Sequence, residues 1–552
     1  MTSTKTRHLL TIASCVAALV VAAGCGKSAT STSSAPNGTT SATAGLVAAS
    51  PPATGPYTQP IVWALYRETS TIDPIYDFDY PDNTPTAAMC DTLLRQSPTG
   101  VVQAGLSTLT YTNPLTLVFT LHDGVKFWDG TTLTSDDVVY SLQRQMNPKL
   151  GGFYGAVFNR VASITATSPT VVTIKLKQPD YWLPGELSST PGFIIEKKFA
   201  EAAGAKYGTP AGGAMCSGPY KLKDWAVGDK LAVVANPDYW DKALAPKASE
   251  IDFKGVPSDS AFTSGVESGE ISGGYPLSIS TLEQLKTNSN VNVYLGTSYA
   301  SDAFIVSNAK GPLGDVRVRR ALSLAIDRQG LIDANYHGAA LLPRTITNPG
   351  TWGYAKEVFQ KGWDALPEPK VNIPAAKALI KAAGAEGKTI TLGMSSEIPT
   401  NNTEAIAVQA AGESIGLKVN LHSVSAANYI NFFIDANARK PVDGFFTVNY
   451  PDFADPAGLY STFVMPDGSQ NYDGFSDPKI TKLMDAARTT ADDTKRAQLV
   501  VAAQALIMKE LPWIGITVPD TILVMNKAIT GPPVTFSYMF APWFAAQLGA
   551  SG

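Results

Sequence analysis

The sequence predicts a large α/β protein, because strand-like and helix-like segments alternate along a chain with the composition of a globular body. Of its 552 residues, 44% are hydrophobic, 9% aromatic and only 16% charged. About 500 residues follow the N-terminal segment, and a chain of this length and composition can bury several hydrophobic cores. This length predicts about three lobes arranged in one or two domains.

The N-terminus has the features of a secretory signal. Lys5 and Arg7 precede an apolar run of about 16 residues, shorter than the roughly 20 that a membrane-spanning helix needs. Small residues then lead to Cys25, a sequence that resembles a bacterial lipobox, although Ala22 stands where the most typical lipobox has Leu. We therefore expect a signal peptide at 1–24 and lipidation of Cys25, with plain cleavage beside an incidental thiol as the alternative.

The segment after the signal predicts a tether. Residues 25–55 are almost wholly Ser, Thr, Ala, Gly and Pro, which indicates a flexible linker with little to bury. The first strand-like run, at 61–65, marks the start of the folded body. We expect an extracytoplasmic protein that is anchored to the cell membrane through its lipid.

The charge of the mature chain argues against nucleic acid as a partner. The formal net charge is −4, and removing Lys5 and Arg7 with the signal changes it to −6. The sequence contains no basic stripe and no arginine-rich segment of the kind that binds nucleic acid. No later apolar run reaches the length of a membrane span, so we expect the body itself to be soluble.

The cysteines fit an oxidising compartment. The sequence has four, of which Cys15 lies in the signal and Cys25 is the lipidation candidate. Cys90 and Cys216 remain as the possible pair in the mature body. A disulfide between them and two separate buried thiols are both compatible with the residues alone.

Several segments have clear local signals. Residues 117–121 alternate as a half-buried strand, and an Asp-Gly turn then leads to 125–128, which predicts a hairpin. Thr134 and the acidic residues after it predict the start of a helix that ends before Pro148. Apolar residues at helical spacing predict an amphipathic helix within 315–327.

Catalysis is not expected. The chain has neither a His-Glu-x-x-His zinc motif nor a Gly-x-Ser-x-Gly nucleophile elbow. After loss of His8, the remaining histidines are His122, His337 and His422. A secreted hydrolase is therefore disfavoured, and we expect no catalytic residue, no cofactor and no resident metal.

Five segments, in this order, resemble the family 5 extracytoplasmic solute-binding proteins, the peptide, nickel and glutathione receptors of ABC importers. The resemblance runs from Val62 to about Gly531. The segments are VKFWDGTTLTSDDVVYSL at 125–142, SGPYKLKDW at 217–225, NPDYW at 236–240, the helix at 315–327, and GFSDPKITKLM at 474–484. Each alone is weak, but five in the family's order indicate the fold.

The resemblance implies an α/β periplasmic-binding-protein-like fold with two lobes (type II, cluster C) and an extra inserted subdomain. The implied ranges are 56–90, 217–297 and 515–552 for subdomain Ia of lobe 1, 91–216 for the inserted subdomain Ib, and 298–514 for lobe 2. Cys90 and Cys216 then fall at the two crossings into subdomain Ib, which favours a disulfide between them.

The segment 449–456 is the best candidate for contact with a ligand. Two prolines bracket it, so it is not a regular helix, and it combines the carboxylates of Asp452 and Asp455 with the rings of Tyr450 and Phe453. The resemblance implies that Asp452 binds the α-amino group of a peptide and that Tyr450 lies over the ligand. The alternative is a turn with two solvated aspartates.

Four further aromatic residues are weaker candidates for the ligand-binding cleft. Tyr76 and Tyr80 follow a segment that resembles the family's first cleft loop, and Phe153 and Tyr154 follow the helix that begins near Thr134. Aromatic residues at such positions are more often part of a core than of a binding site. No arginine can be assigned to a ligand carboxylate.

The function implied by the resemblance is capture of a solute by lobe closure. We expect a peptide, delivered to the permease subunits of an ABC transporter by a monomeric receptor. A nickel chelate, glutathione, haem or a sugar is the alternative ligand. A regulatory or chaperone-like lipoprotein of the same fold, with no role in transport, is the alternative function.

Overall fold

The computed structural model describes residues 49–552, which form an α/β body built on three main sheets of seven, six and four strands. The seven-stranded sheet is the base of lobe 1, the four-stranded sheet forms the inserted subdomain, and the six-stranded sheet is the base of lobe 2. The predicted signal peptide, Cys25 and most of the predicted linker lie outside the described residues. No helix among residues 49–552 is long and apolar enough to cross a lipid bilayer.

The sheet of lobe 1 is assembled from distant parts of the chain. In spatial order its strands are Val291–Gly296, Thr521–Asn526, Gly273–Gly274, Ile61–Leu65, Glu250–Gly255, Lys230–Ala235 and Tyr220–Ala226. Ile61–Leu65 pairs in parallel with Glu250–Gly255, so the first strand of the body lies inside the sheet. The helices of this lobe are Tyr80–Met89, Asp259–Ser268, Leu282–Thr287 and Trp543–Gln547.

The inserted subdomain contains an antiparallel sheet with the order Ser107–Asn113, Thr116–Leu121, Val171–Leu176, Val161–Ser168. The predicted strand at 117–121 is confirmed, and its buried positions alternate. The predicted hairpin of this strand with 125–128 is wrong, because the strand pairs with its two neighbours in the sheet. Residues 125–128 instead turn back on 131–133, with a bridge from Lys126 to Thr132 and a hydrogen bond from the Leu133 N–H to the carbonyl of Val125. A two-stranded sheet, Leu94–Gln96 with Val102–Ala104, and helices Ser135–Gln145, Leu183–Glu186 and Lys197–Ala203 complete the subdomain.

Lobe 2 is built on the six-stranded sheet. The strand order is Ala340–Leu341, Trp513–Pro519, Ser301–Val306, Gly444–Asn449, Thr389–Met394, Lys418–Ser423. The predicted helix within 315–327 is confirmed as Val316–Ala325, which begins after Asp315 and buries Val318 and Leu322. The other helices are Arg328–Tyr336, Lys356–Asp364, Ile373–Ala382, Pro399–Ser414, Ala426–Tyr429, Asn431–Ile434, Ala436–Arg439, Pro456–Val464, Pro478–Arg488 and Asp493–Glu510.

Two chain segments connect the lobe 1 sheet with the lobe 2 sheet. One is 297–300, close to the predicted boundary at 297. The other is Asp520, which alone separates Trp513–Pro519 of lobe 2 from Thr521–Asn526 of lobe 1. The predicted boundary at 515 is therefore wrong, since it falls inside a strand that pairs with Ser301–Val306.

The described N-terminal residues are bound to the body. Ser50 is buried and its hydroxyl donates a 3.0 Å hydrogen bond to the carbonyl of Pro532. Gly55 forms a bridge with Ala550 near the C-terminus. The predicted linker at 25–55 is thus too long at its C-terminal end, because its last residues pair with the final segment of the chain.

A disulfide joins Cys90 and Cys216, whose Cα atoms are 5.0 Å apart and which are 126 residues apart in sequence. It closes the inserted subdomain at the point where the chain leaves lobe 1 and returns. Both sulfurs are buried in the core of lobe 1.

Replacing both cysteines, as Cys90→Ser with Cys216→Ser, should lower the free energy of unfolding by about 2–5 kcal/mol, since the closed loop is long. Urea unfolding under oxidising conditions measures this change, and the same variant under reducing conditions is the control. A loss below about 1 kcal/mol would contradict a stabilising role for the crosslink.

Candidate functional site

The loop at 450–455 bridges the two lobes. It leaves strand Gly444–Asn449 of lobe 2, and the Tyr450 hydroxyl donates a 3.2 Å hydrogen bond to the carbonyl of Phe78 in lobe 1. Gln96 of the inserted subdomain donates a 2.8 Å hydrogen bond from Nε2 to the carbonyl of Asp452. The segment that the sequence singles out therefore lies at the interface between the lobes.

Asp455 has a structural contact. Its side chain is buried, and its carboxylate accepts a 2.8 Å hydrogen bond from the N–H of Ala457. This is an N-cap of helix Pro456–Val464, whose first residue is a proline that needs no N–H partner. Burial raises the pKa of Asp455, while this backbone hydrogen bond and the charge of Arg496 oppose the shift. The Asp455 carboxylate therefore caps the N-terminus of helix Pro456–Val464.

Phe453 is a packing residue of the lobe interface. Only 5% of it is exposed, and its ring lies against Gly185 of the inserted subdomain. A Cβ atom at position 185 would come within 2.3 Å of the Phe453 ring, so this close approach requires glycine. Phe453 therefore packs between lobe 2 and the inserted subdomain, and its contact with a ligand stays a prediction.

Tyr450 belongs to an aromatic cluster that spans the lobes. Its ring centroid lies 5.2 Å from that of Tyr80 and 4.9 Å from that of Phe536, both in lobe 1. Tyr80 and Phe536 pack edge to face at 5.6 Å. The structure thus brings two predicted site residues, Tyr450 and Tyr80, into one aromatic wall.

Asp452 carries a carboxylate with no neutralising partner. Among residues 49–552, no group donates a hydrogen bond to this carboxylate and no cation pairs with it; the main-chain carbonyl alone is bonded. Asp452 is only partly buried, but loss of solvent around its carboxyl raises the pKa to about 7. Such a group costs free energy in a closed protein unless a cation binds to it.

Glu186 is a second acidic group beside Asp452 that sequence reasoning missed. It ends the short helix Leu183–Glu186 of the inserted subdomain. Burial raises its pKa, and the negative charge of Asp452 raises it further, although Arg488 opposes the shift. Two carboxylates from different lobes therefore face the same space, which predicts affinity for a positive group.

Tyr154 closes this acidic space from the side of lobe 1. It is 7% exposed and its hydroxyl donates a 3.0 Å hydrogen bond to the carbonyl of Asp77. Its pKa is raised by burial and then by the charge of Asp452. Asp77 adds a buried carboxylate for which the described chain provides no hydrogen-bond partner.

Tyr76 and Phe153 lie farther out. Tyr76 is 38% exposed and donates a 2.6 Å hydrogen bond from its hydroxyl to the carbonyl of Leu150. Phe153 is 49% exposed and its ring centroid lies 4.4 Å from that of Phe78. Neither has a described contact with Asp452, so both line the outer part of this region.

A cavity at the connection between the lobes was not predicted. It has a volume of about 120 Å³ and is lined by residues of both lobes, among them Tyr80, Tyr275, Phe536, Tyr538, Tyr336 and Asp520. We call it the hinge cavity. Sequence reasoning missed it because its residues come from distant segments. The one local signal is Asp520, a single acidic residue between two apolar strands.

Ion pairs hold the inserted subdomain against lobe 2. Asp180 accepts two hydrogen bonds from Arg488, at 2.9 and 2.6 Å, and the guanidinium lies over the ring of Trp182. Arg160 pairs with Asp485 at 2.8 Å. These contacts join segments that a separation of the lobes would pull apart, so the structure is a closed form.

Asp180→Asn should shift the ligand-free protein toward separated lobes, because it removes the carboxylate that accepts both hydrogen bonds from Arg488, at a cost of about 3 kcal/mol. Small-angle X-ray scattering should then report a larger radius of gyration. Glu250→Gln, which breaks the Lys223–Glu250 pair within lobe 1, is the matched control and should change nothing. An unchanged radius in both variants would contradict the role of the interlobe pair.

Closure without ligand should depend on pH. In an open form we expect Asp452 to be solvated, with a pKa near the usual value of about 4, whereas burial raises it to about 7 in the closed form. Closure then takes up protons between these values, so it is favoured as the pH falls through this window. Scattering should show a smaller radius of gyration at about pH 5.5 than at about pH 8. A smaller effect in Asp452→Asn would support the assignment, and greater compaction at the higher pH would contradict it.

The chain matches known proteins over most of its length. The family model described as "Bacterial extracellular solute-binding proteins, family 5 Middle" matches residues 108–471. The chain is similar to the probable D,D-dipeptide-binding periplasmic protein DdpA of Escherichia coli, with 27% identity over 424 residues, 75% of this chain and 78% of that protein. It is 26% identical to the periplasmic oligopeptide-binding protein OppA of Salmonella typhimurium over 416 residues, 71% of this chain and 74% of that protein.

A solved structure confirms the predicted fold. The periplasmic binding protein DppA from Helicobacter pylori, in complex with the peptide STSA, superposes with a TM-score of 0.76 and 20% identity. The match covers 90% of this chain and 99% of that one. The α/β periplasmic-binding-protein fold with two lobes is therefore the fold of this chain.

Proposed function

This chain belongs to the bacterial extracellular solute-binding proteins of family 5, and we propose that it captures a peptide between its two lobes. The observation that carries this proposal is the unpaired carboxylate of Asp452, which lies beside Glu186 at the lobe interface. The N-terminal ammonium of a peptide is the group that such a site lacks. The similarity to the dipeptide-binding DdpA and the oligopeptide-binding OppA, and to DppA in complex with the peptide STSA, supports the same ligand class.

Capture proceeds by a shift between open and closed forms. A ligand that touches both lobes stabilises the closed form by the difference between its affinities for the two forms. The ammonium neutralises the charge that closure buries around Asp452, so closure with ligand avoids the cost of closure without it. The closed, loaded receptor is then the form that the permease of an ABC importer distinguishes.

The ligand's carboxylate end is not assigned to an arginine of the interface. Arg488 pairs with Asp180, and Arg160 pairs with Asp485 and with the carbonyl of Pro179. Because both guanidiniums are used to hold the lobes together, recognition in this proposal is centred on the amino end of the peptide.

The proposal includes an extracytoplasmic monomer tethered to the membrane. Its basis is the signal-like N-terminus and the lipobox-like sequence ending at Cys25. Mass spectrometry of the membrane-associated protein should reveal a lipid on Cys25, and Cys25→Ser should release the protein from the membrane.

Asp452→Asn should weaken binding of trialanine by about 30-fold or more at neutral pH, because it removes a buried partner of the ammonium. Isothermal titration calorimetry measures the affinity. N-acetyl-trialanine, which lacks the ammonium, should bind the natural protein weakly and should be much less sensitive to the substitution. Glu413→Gln, an exposed carboxylate of lobe 2, is the matched control. Equal affinity of the natural protein for both peptides would contradict the role of Asp452.

The ligand class can be tested without choosing a peptide. Native mass spectrometry of protein purified without denaturation should show retained peptides. A single retained mass typical of a chelate, haem or sugar would identify that compound, instead of a peptide, as the ligand. A protein that remains empty and ignores every peptide would favour the regulatory alternative.

A further inference from the structure

Asp520 occupies a position of its own at the connection between the lobes. Its N–H donates a 3.0 Å hydrogen bond to the carbonyl of Ala339, which fixes the backbone between the two sheets. The side chain is 9% exposed and lines the hinge cavity. Within residues 49–552 its carboxylate has neither a hydrogen-bond donor nor an ion-pair partner, and burial raises its pKa to about 7. A carboxylate in this setting is stabilised by a cation.

The rest of the hinge cavity also suits a cation. Tyr275 and Tyr538 stack with ring centroids 3.8 Å apart, and Tyr80 and Phe536 line the same space. Aromatic faces attract ammonium and guanidinium groups. The hydroxyl protons of two lining tyrosines are already used, by Tyr275 toward the carbonyl of Pro533 and by Tyr336 toward the carboxylate of Asp302. Their oxygens can therefore only accept, which disfavours an anionic group.

Size restricts the occupant. The cavity volume of about 120 Å³ holds several water molecules, since one needs only about 10–15 Å³ on this measure. This space suits the end of one side chain and is too small for a whole peptide.

The hinge cavity and the proposed peptide site share an aromatic wall. Tyr450 contacts Tyr80 and Phe536, which line the cavity. Tyr450 is also two residues from Asp452 in the loop at 450–455. The aromatic wall therefore links the neighbourhood of Asp452 with the hinge cavity that Asp520 lines.

We propose that the hinge cavity receives a basic side chain of the bound peptide, a lysine ammonium or an arginine guanidinium, with Asp520 as its counter-ion and the tyrosine faces as its walls. This inference rests on the proposed peptide function. It makes Asp520 a specificity-determining residue, which selects basic peptides from those whose amino end Asp452 binds.

The test compares isosteric peptides by calorimetry. Trialanine is varied at each position in turn with lysine or norleucine, and with arginine or citrulline. At one position or more, the natural protein should bind the basic peptide at least about tenfold more tightly than its neutral isostere. In Asp520→Asn this ratio should fall close to one, whereas Glu413→Gln should retain it.

The outcomes separate the two proposals. If trialanine binds and no position gives a preference above about twofold, the inference about Asp520 is wrong and the peptide function stands. The same follows if the preference persists in Asp520→Asn. If Asp520→Asn does not fold, the comparison of isosteres in the natural protein decides. If no peptide binds, both proposals fail. Saturable binding of sodium or potassium ions that requires Asp520 would assign the cavity to an inorganic cation and overturn the side-chain assignment.

Discussion

Closure of two lobes over the Asp452 carboxylate, for which residues 49–552 provide no ion-pair partner, is the constraint on which the rest of this structure depends. Asp452 from lobe 2 and Glu186 from the inserted subdomain come together only because the chain folds the two bodies against each other. A buried carboxylate without a partner costs several kcal/mol. The protein offsets this cost elsewhere along the interface, through the Asp180–Arg488 and Arg160–Asp485 pairs and the fit of Phe453 against Gly185. The same interface therefore stabilises the closed form and contains an unpaired negative charge.

The residues of the segment 450–456 have different roles in this arrangement. Asp455 and Phe453 are used by the protein itself, one as a helix cap and the other as interface packing. They fix the loop so that Asp452 keeps its carboxylate free while its carbonyl is held by Gln96. Tyr450 extends the loop into the aromatic wall that leads to the hinge cavity. Because the loop around the free carboxylate is already fixed, binding of a ligand costs little conformational entropy of the protein.

Local chemistry explains which parts of this picture the sequence could predict. The helix at Val316–Ala325 and the strand at Thr116–Leu121 follow from short-range periodicity, and the family follows from five motifs spread over the chain. The loop around Asp452 could be chosen because prolines, carboxylates and aromatic rings cluster within a few residues. Asp455 shows the limit of that reasoning, since a capping aspartate and a ligand-binding aspartate look alike before the helix is placed.

What the sequence could not predict depends on contacts between distant segments. The two pairs that join the inserted subdomain to lobe 2 are 325 residues apart for Arg160 with Asp485 and 308 for Asp180 with Arg488. In the sequence, Asp520 looks like an ordinary polar residue at the end of a strand. Only the strand order of the two sheets shows that it connects the lobes. The hairpin proposed at 125–128 fails for the same reason, because the neighbouring strand finds its partners in the sheet instead of in the adjacent segment.

The most direct test of the central claim is a crystal structure of the protein with a bound peptide. The peptide's N-terminal nitrogen should lie within about 3 Å of a carboxylate oxygen of Asp452, with the lobes closed over it. A peptide whose nitrogen is held by other groups, with Asp452 turned to bulk water, would contradict the account.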